Sequence, residues 1–456
     1  MSDYQKNAKP DQEFTGRYLV MFPEGTDTQA ALASLTETMG LKVAHSADFP
    51  DELVQDSDFE KNEAIYLDQI GVAVVNAVPD QLNRLSLAVA DASQAVLIEP
   101  ERVVYAINEL TGEYLKGFRD AVDTLLERTQ QTEKSNGEAF TAEQEVQATG
   151  VTWGLQAVRG VPSLLYRSYN GSGIKVAVLD TGMDLQHPDF VGRNIVTASF
   201  INGQTVQDGH GHGTHCIGTA CGPLNPSDPN MPRYGLAYKA TIYAGKVLSN
   251  EGYGGDAGIL AGINWALANK CEVVSMSLGA GTQTQGYSQI FENVAANVLA
   301  KGTLIVAAAG NDSNRSNGVY NAVSHPANCP SILAVGAVDK TMKIANFSNR
   351  GKYAPYGNVD IVAPGVEVFS STKMPTKYAT WQGTSMATPH VAGIAAFYAQ
   401  QSKANRGYAL WKKLVSTAKP LSIPTTDAGA GLVQGPLSRL ILKPWPLTLN
   451  EEALTD

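Results

Sequence analysis

Long apolar runs are missing from this 456-residue chain. "LIVAAAG" at 304–310 is typical of the longest, far short of the roughly 18 residues that a membrane span needs, so no membrane partner is expected. Charge is sparse: Asp, Glu, Lys and Arg make up 17%, which disfavours a disordered or coiled-coil chain. Four cysteines (Cys216, Cys221, Cys271, Cys329) are too few for a disulfide framework. No CxxC occurs, which disfavours structural zinc. Cys216 and Cys221 lie in a segment read as helix with their side chains pointing apart, so four buried free thiols are expected. The start, "MSDYQKNAKPDQEF", has no apolar h-region, so the chain as given carries no secretory signal and points to the cytoplasm. Basic excess is missing as well; a net charge of −10 argues against a nucleic-acid partner.

What is present is glycine, 43 residues of it, and enough length for two or three domains. The charge divides along the chain. Residues 1–150 hold 27 acids and 11 bases, a balance of −16, whereas residues 151–456 balance at +6. Opposite halves should attract, so the first is expected to dock on the second.

Residues 16–107 alternate strand and helix signals: "RYLVMF" (17–22), a helix over 28–40 stopped by Gly40, "KVAHSADF" (42–49), "IGVAVVNA" (70–77), a helix opened by Pro79, and an extended stretch over 95–107. The order β-α-β-β-α-β is the ferredoxin-like arrangement. An amphipathic helix is expected over 112–128, with Leu115, Phe118, Val122, Leu125 and Leu126 on one face, followed by a polar linker over 129–150.

From Trp153 onward, short apolar strands such as "IKVAVLD" (174–180), "ATIYAGKVL" (240–248), "CEVVSMSLG" (271–279), "GTLIVAAAG" (302–310) and "SILAVGAV" (331–338) alternate with helical stretches. That texture predicts an α/β fold, a doubly wound parallel sheet covered on both faces, with chemistry at the carboxyl ends of its strands.

Three segments hold the candidate chemistry. Asp180 ends a strand in "VLDTGMDLQHPDF", His212 opens a small-residue helix in "DGHGHGTHCIGTA", and Ser385 opens another in "GTSMATPHVAGIAAFYA". A serine hydroxyl needs an imidazole to take its proton, and the imidazole needs a carboxylate to fix its tautomer. Other readings fit less well. Asp180-Thr181-Gly182 resembles an aspartic-protease signature, but that chemistry needs a second such carboxylate, and no further DTG or DSG occurs. His210, His212 and His215 match no zinc motif, and His210 and His215 are expected merely to satisfy local hydrogen bonds. "GTSMA" nearly matches a GxSxG elbow, whose histidine follows the serine; here the only later histidine, His390, lies on the same helix.

The order Asp, His, Ser and the three segments together resemble the subtilisin-like serine proteases (subtilases), over roughly 153–436. "GHGTHC" is similar to the proteinase K branch. The resemblance implies a serine endopeptidase acting on polypeptides, with Asp180, His212 and Ser385 as its triad and no cofactor required for chemistry. It implies that Asn311, in "AAAGN", donates to the oxyanion beside the Ser385 N–H. Gly252, Tyr253 and Gly254 would form one wall of the substrate cleft and Ser277, Leu278 and Gly279 the other. Ala308, Ala309 and Gly310 would line the primary specificity pocket, with Ser324 at its base, which favours apolar or aromatic residues before the scissile bond. Asp189 matches a family calcium ligand for a structural ion, although "CGPLNPSDPNMPRYG" is unlike the family's calcium loop. Residues 16–107 resemble an inhibitor-type propeptide, which implies export, an intramolecular inhibitor as partner, and self-cleavage somewhere within 106–151. The division expected is 1–108 propeptide, 109–151 helix and linker, 152–440 catalytic domain and 441–456 tail. The competing class is a non-catalytic peptide-binding or regulatory protein on the same scaffold.

Overall fold

The computed structural model describes residues 13–22, 27–50, 53–78, 80–82, 96–107, 150–161, 169–282, 286–352 and 357–436. The helix expected over 112–128, the linker beyond it to 149, and the tail from 441 lie outside the described residues.

The N-terminal part runs β1 (Phe14–Met21), α1 (Thr28–Met39), β2 (Val43–His45), α2 (Asp56–Lys61), β3 (Ala64–Leu67), β4 (Val72–Val75) and β5 (Leu97–Ala106). The antiparallel order β5-β1-β4-β3 is the ferredoxin-like sheet, and β2 extends its edge by pairing parallel with β3. This corrects the strand expected at 42–49. β2 holds only three residues before a tight turn at Ser46–Asp48, and the second strand of the arrangement is the short "AIYL" of β3. Alternation along the strands splits the side chains between two layers. Val20, Tyr66, Ala73 and Val75 pack under Leu32, Leu35 and Met39 of α1. Leu19, Ile65, Leu67, Val72 and Val74 join the large apolar core of the rest of the molecule.

The second part continues through α3 (Trp153–Ala157), β6 (Lys175–Asp180), β7 (Ile195–Ser199), α4 (His212–Cys221), β8 (Thr241–Lys246), β9 (Tyr253–Gly255), α5 (Asp256–Ala268), β10 (Val273–Met276), β11 (Leu278–Gly279), α6 (Gln289–Ala300), β12 (Leu304–Ala308), β13 (Leu333–Val338), β14 (Ile361–Pro364), β15 (Val368–Ser371), β16 (Tyr378–Trp381), α7 (Thr384–Gln401) and α8 (Gly407–Thr417). Seven strands form a parallel sheet in the order β14-β13-β12-β10-β6-β8-β7. β10, β12, β13 and β14 are buried along their whole length, the pattern of strands covered on both faces. All but the last residue of α5 and all but the last two of α7 are buried, so these are core helices rather than surface ones. No helix among the described residues is long and apolar enough to cross a membrane.

Candidate active site

Asp180 is the last residue of β6, where the strand delivers it to the carboxyl edge of the sheet. His212 is the first residue of α4, and that helix can reach the strand end because residue 213 is glycine: a Cβ there would lie 2.2 Å from the Gly182 carbonyl oxygen. His212 Nδ1 and Asp180 Oδ1 are 2.7 Å apart, and both side chains are buried. Burial works against a charged ring, but the Asp180 carboxylate, with the nearby Cys216, outweighs it and holds the His212 pKa well above the usual range. Nε2 of His212 and Oδ2 of Asp180 are buried with no hydrogen-bond partner among the described residues.

Ser385 stands in the first turn of α7. Pro389, four residues on, has no N–H to give the Ser385 carbonyl. The Ser277 hydroxyl takes that place at 2.9 Å, and the Cys216 thiol lies 3.5 Å from the same oxygen. Cys216 Sγ is also 4.0 Å from His212 Nδ1, so one buried thiol touches both the histidine and the serine segments. Asp180, His212 and Cys216 form the one described His, Cys, Asp or Glu group close enough to hold a metal; the three histidines do not.

Asn311 follows β12. Its Oδ1 accepts from the Thr384 N–H (2.9 Å) and hydroxyl (2.8 Å), which fixes the amide so that Nδ2 faces the cleft. Nδ2 donates to the Ile107 carbonyl oxygen at 3.1 Å, and the Ser385 hydroxyl donates to the same oxygen at 2.5 Å. The strand leading to Ile107 lies between both expected walls. β5 pairs antiparallel with β9 through Tyr105↔Tyr253 and with β11 through Ala106↔Leu278. Gly252 O accepts from Ala106 N (2.8 Å) and Ser277 O from Ile107 N (3.2 Å).

A Cβ added to Gly279 would sit 3.0 Å from Ile107 Cδ1 and 3.4 Å from Ser324 Cβ, so the Ile107 side chain and Ser324 meet at that wall. Ala308 and Ala309 are fully buried, and the Ala309 carbonyl accepts from Ser324 N. Gly310 has φ +108°, and a Cβ there would lie 2.3 Å from both Ser324 Oγ and Asn349 Nδ2; only glycine fits. A cavity of about 1150 Å³ opens beyond Ile107, lined among others by Asn311, Asp312, Phe347 and Gln382.

His215 fulfils its bland expectation: Nε2 faces the Val368 and Ala379 carbonyls at 3.1 and 3.2 Å, the ring stacks on Trp381, and burial pushes its pKa down to about 3. His210 does not, since its Nδ1 is buried without a partner among the described residues. All four cysteines are free and buried.

The sequence reading missed Asp208 and Lys246. Asp208 is 2% exposed beneath the turn that carries His212. Lys246, at the end of β8, is fully buried, and burial pulls its pKa down to about 8 against the opposing pull of Asp208, Asp180 and Glu251. A charged residue inside so small-residue a segment as "DGHGHGTH", or ending so apolar a strand as "TIYAGK", was the available signal.

A serine hydroxyl and an amide donor meet on one peptide carbonyl, and a buried imidazole–carboxylate pair is joined to the serine segment through Cys216. The Subtilase family model matches residues 171–434, and the chain belongs to that family. It is 40% identical over 288 residues to Subtilisin BL of Lederbergia lenta, which covers 63% of this chain and 97% of that relative. It is 38% identical over 299 residues to Subtilisin E of Bacillus subtilis (strain 168), covering 64% of this chain and 74% of that protein. The M-protease of Shouchella clausii (strain KSM-K16) is 40% identical over 294 residues, 64% of this chain and 70% of its own. The chain is a subtilisin-like serine endopeptidase, which sets aside the non-catalytic binding protein.

Subtilisins need no cofactor for catalysis and often bind structural calcium. Asp189 does not fit a calcium ligand here. Its Oδ1 accepts from Ser227 N (2.6 Å) and the Tyr378 hydroxyl (3.0 Å), and its Oδ2 from the Tyr234 hydroxyl (2.5 Å). Three hydrogens point at the carboxylate where a hard cation needs lone pairs. Asp189 instead anchors the 227 loop and β16 by hydrogen bonds.

Proposed function

We propose that Ser385 attacks the carbonyl carbon of a peptide bond laid between β9 and β11. Its proton passes to His212 Nε2, and Asp180 holds the ring and offsets its charge. The oxyanion is bound by the Asn311 amide. His212 then hands the proton to the leaving amine, an ester remains on Ser385 Oγ, and a water deprotonated by His212 releases the acid. The buried His212 Nε2, without a hydrogen-bond partner among the described residues, supports this as the nitrogen left to take that proton. Recognition through backbone pairs in β9 and β11 favours broad specificity, with an apolar or aromatic residue before the cut.

The full chain is read as a zymogen. Residues 1–108 act as inhibitor and folding aid, 109–151 as connector, 152–440 as the protease and 441–456 as a tail. The observation that carries this is the Ile107 carbonyl, bonded by Ser385 and Asn311 at the end of a strand paired on both sides. Self-cleavage, expected within 106–151, is assigned in this reading to the bond after Ile107, and that contact supports it. A fluorophosphonate probe should label Ser385 once the N-terminal part is removed, and the Ser385→Ala chain should stay unlabelled. A peptide panel cleaved best after Arg or Lys would overturn the specificity.

A further inference from the structure

Asp180 is weakly tethered by its own bonds. Oδ1 takes the Thr181 N–H and faces His212, both at 2.7 Å, while Oδ2 has no partner among the described residues. Something else must fix the strand end against the helix start. The neighbours of the pair supply it. Thr181, next to Asp180, donates its hydroxyl to Asp208 Oδ1 at 2.9 Å and accepts the N–H of Gly213, next to His212, at 2.8 Å. Asp208 Oδ1 also takes the Gly211 N–H at 2.7 Å, and Oδ2 takes the N–H and hydroxyl of Thr214 at 2.9 and 2.7 Å. Both residues flanking His212 are therefore held by one closed, buried ring that includes the residue after Asp180. Lys246 Nζ closes the far side, donating to the Thr181 carbonyl at 2.5 Å and to Asn250 Oδ1 at 2.9 Å.

We propose that Asp208, acting through the Thr181 hydroxyl, is a positioning residue that sets the Asp180–His212 contact. The ring touches neither substrate nor reacting atoms. Its carboxylate is saturated with donors, so it fixes distance. The inference rests on the reading that Asp180 and His212 work as a proton-transfer pair.

The test compares Thr181→Val with Thr181→Ser in the full-length chain. Val keeps the shape and removes the hydroxyl; Ser keeps the hydroxyl. After self-processing, kcat per fluorophosphonate-titrated site should fall about ten- to a hundredfold in Thr181→Val, the scale of a small misplacement of catalytic groups. KM should stay within about twofold of wild type, and the acid limb of kcat/KM should move to lower pH as His212 loses support. Thr181→Ser should recover most of the loss. Because Thr181→Val could fail to self-process, both changes are also made in the uncut Ser385→Ala chain, and the low-field proton resonance of His212 Nδ1–H is recorded. It should move upfield with Val and stay with Ser. If the Val chain does not fold, Asp208→Asn takes its place with the same expected shift. An unmoved resonance, a wild-type kcat in Thr181→Val, or equal losses in Val and Ser would overturn the proposal. A wild-type enzyme that no fluorophosphonate labels would instead strike the underlying reading of the pair.

Discussion

Asn311 spends its side-chain oxygen on Thr384 and so presents its amide to the carbonyl that Ser385 would attack. Asn311→Ala should lower kcat by about 10²–10³ with little change in KM; that magnitude is the one measured for loss of an oxyanion donor in subtilisin itself. Steady-state kinetics on a peptide amide checks it. His212 gives the second expectation at this scale. Burial opposes a charged ring, but with the cleft occupied Asp180 raises the His212 pKa above the ordinary value, and a protonated ring cannot accept a proton from Ser385. Self-cleavage should therefore accelerate as pH rises above the ordinary imidazole value before levelling. A rate series on freshly refolded chain reads this, and a flat profile between pH 6 and 9 would contradict it. The same raised pKa contributes stability that is complete at pH below the unfolded imidazole value and lost as pH rises through the folded one. These residues were legible because each stands in a motif whose chemistry needs that residue type. Asp208 and Thr181 were not, because their role lies in hydrogen bonds that only the folded turn brings together.

Strand ends and helix starts carry the site, and those were readable from apolar runs bounded by small residues: Asp180 on β6, His212 on α4 and Ser385 on α7. β3 was not readable, because four residues give too short an alternation to separate from a loop. Nor was the way β5 meets the helices. Glu99 Oε1 accepts the Ile290 N–H in the first turn of α6, and Glu101 Oε1 accepts the Ala257 N–H in the first turn of α5. Carboxylates suit helix N-termini because the N–H groups there lack intrahelical partners and the helix dipole is positive. Glu101 is fully buried and also bonds Arg17 at 2.5 Å and Thr15 at 2.5 Å. Glu101→Ala would strand a helix N–H and leave Arg17 with Asp56 alone. In a Ser385→Ala background the loss should be about 3 kcal/mol, the low end for breaking a buried ion pair. Denaturant unfolding of the uncut chain measures it; a change under about 0.5 kcal/mol, that of an ordinary surface substitution, would contradict the role.

Across the whole molecule, the acidic first half and basic second half were expected to attract through opposite charges. Among the described residues, the ion pair between the two parts runs the other way, Arg102 on β5 with Asp256 on α5 at 3.9 Å. The acids of β5 meet helix N-termini instead of lysines, so the charge balance pointed to docking without revealing its means. Docking also rests on apolar area. One face of the N-terminal sheet belongs to the same core as the parallel sheet and its helices, and long-range packing of that kind leaves no local mark in sequence. The resulting arrangement puts one peptide carbonyl, that of Ile107, on the nucleophile and the amide donor. Intact-mass analysis of purified wild-type and Ser385→Ala chains is the most direct measurement. Wild type should divide after Ile107 and the variant should remain whole. A Ser385→Ala chain that still shortens itself in the absence of other proteases, or a wild-type cut placed elsewhere, would contradict it.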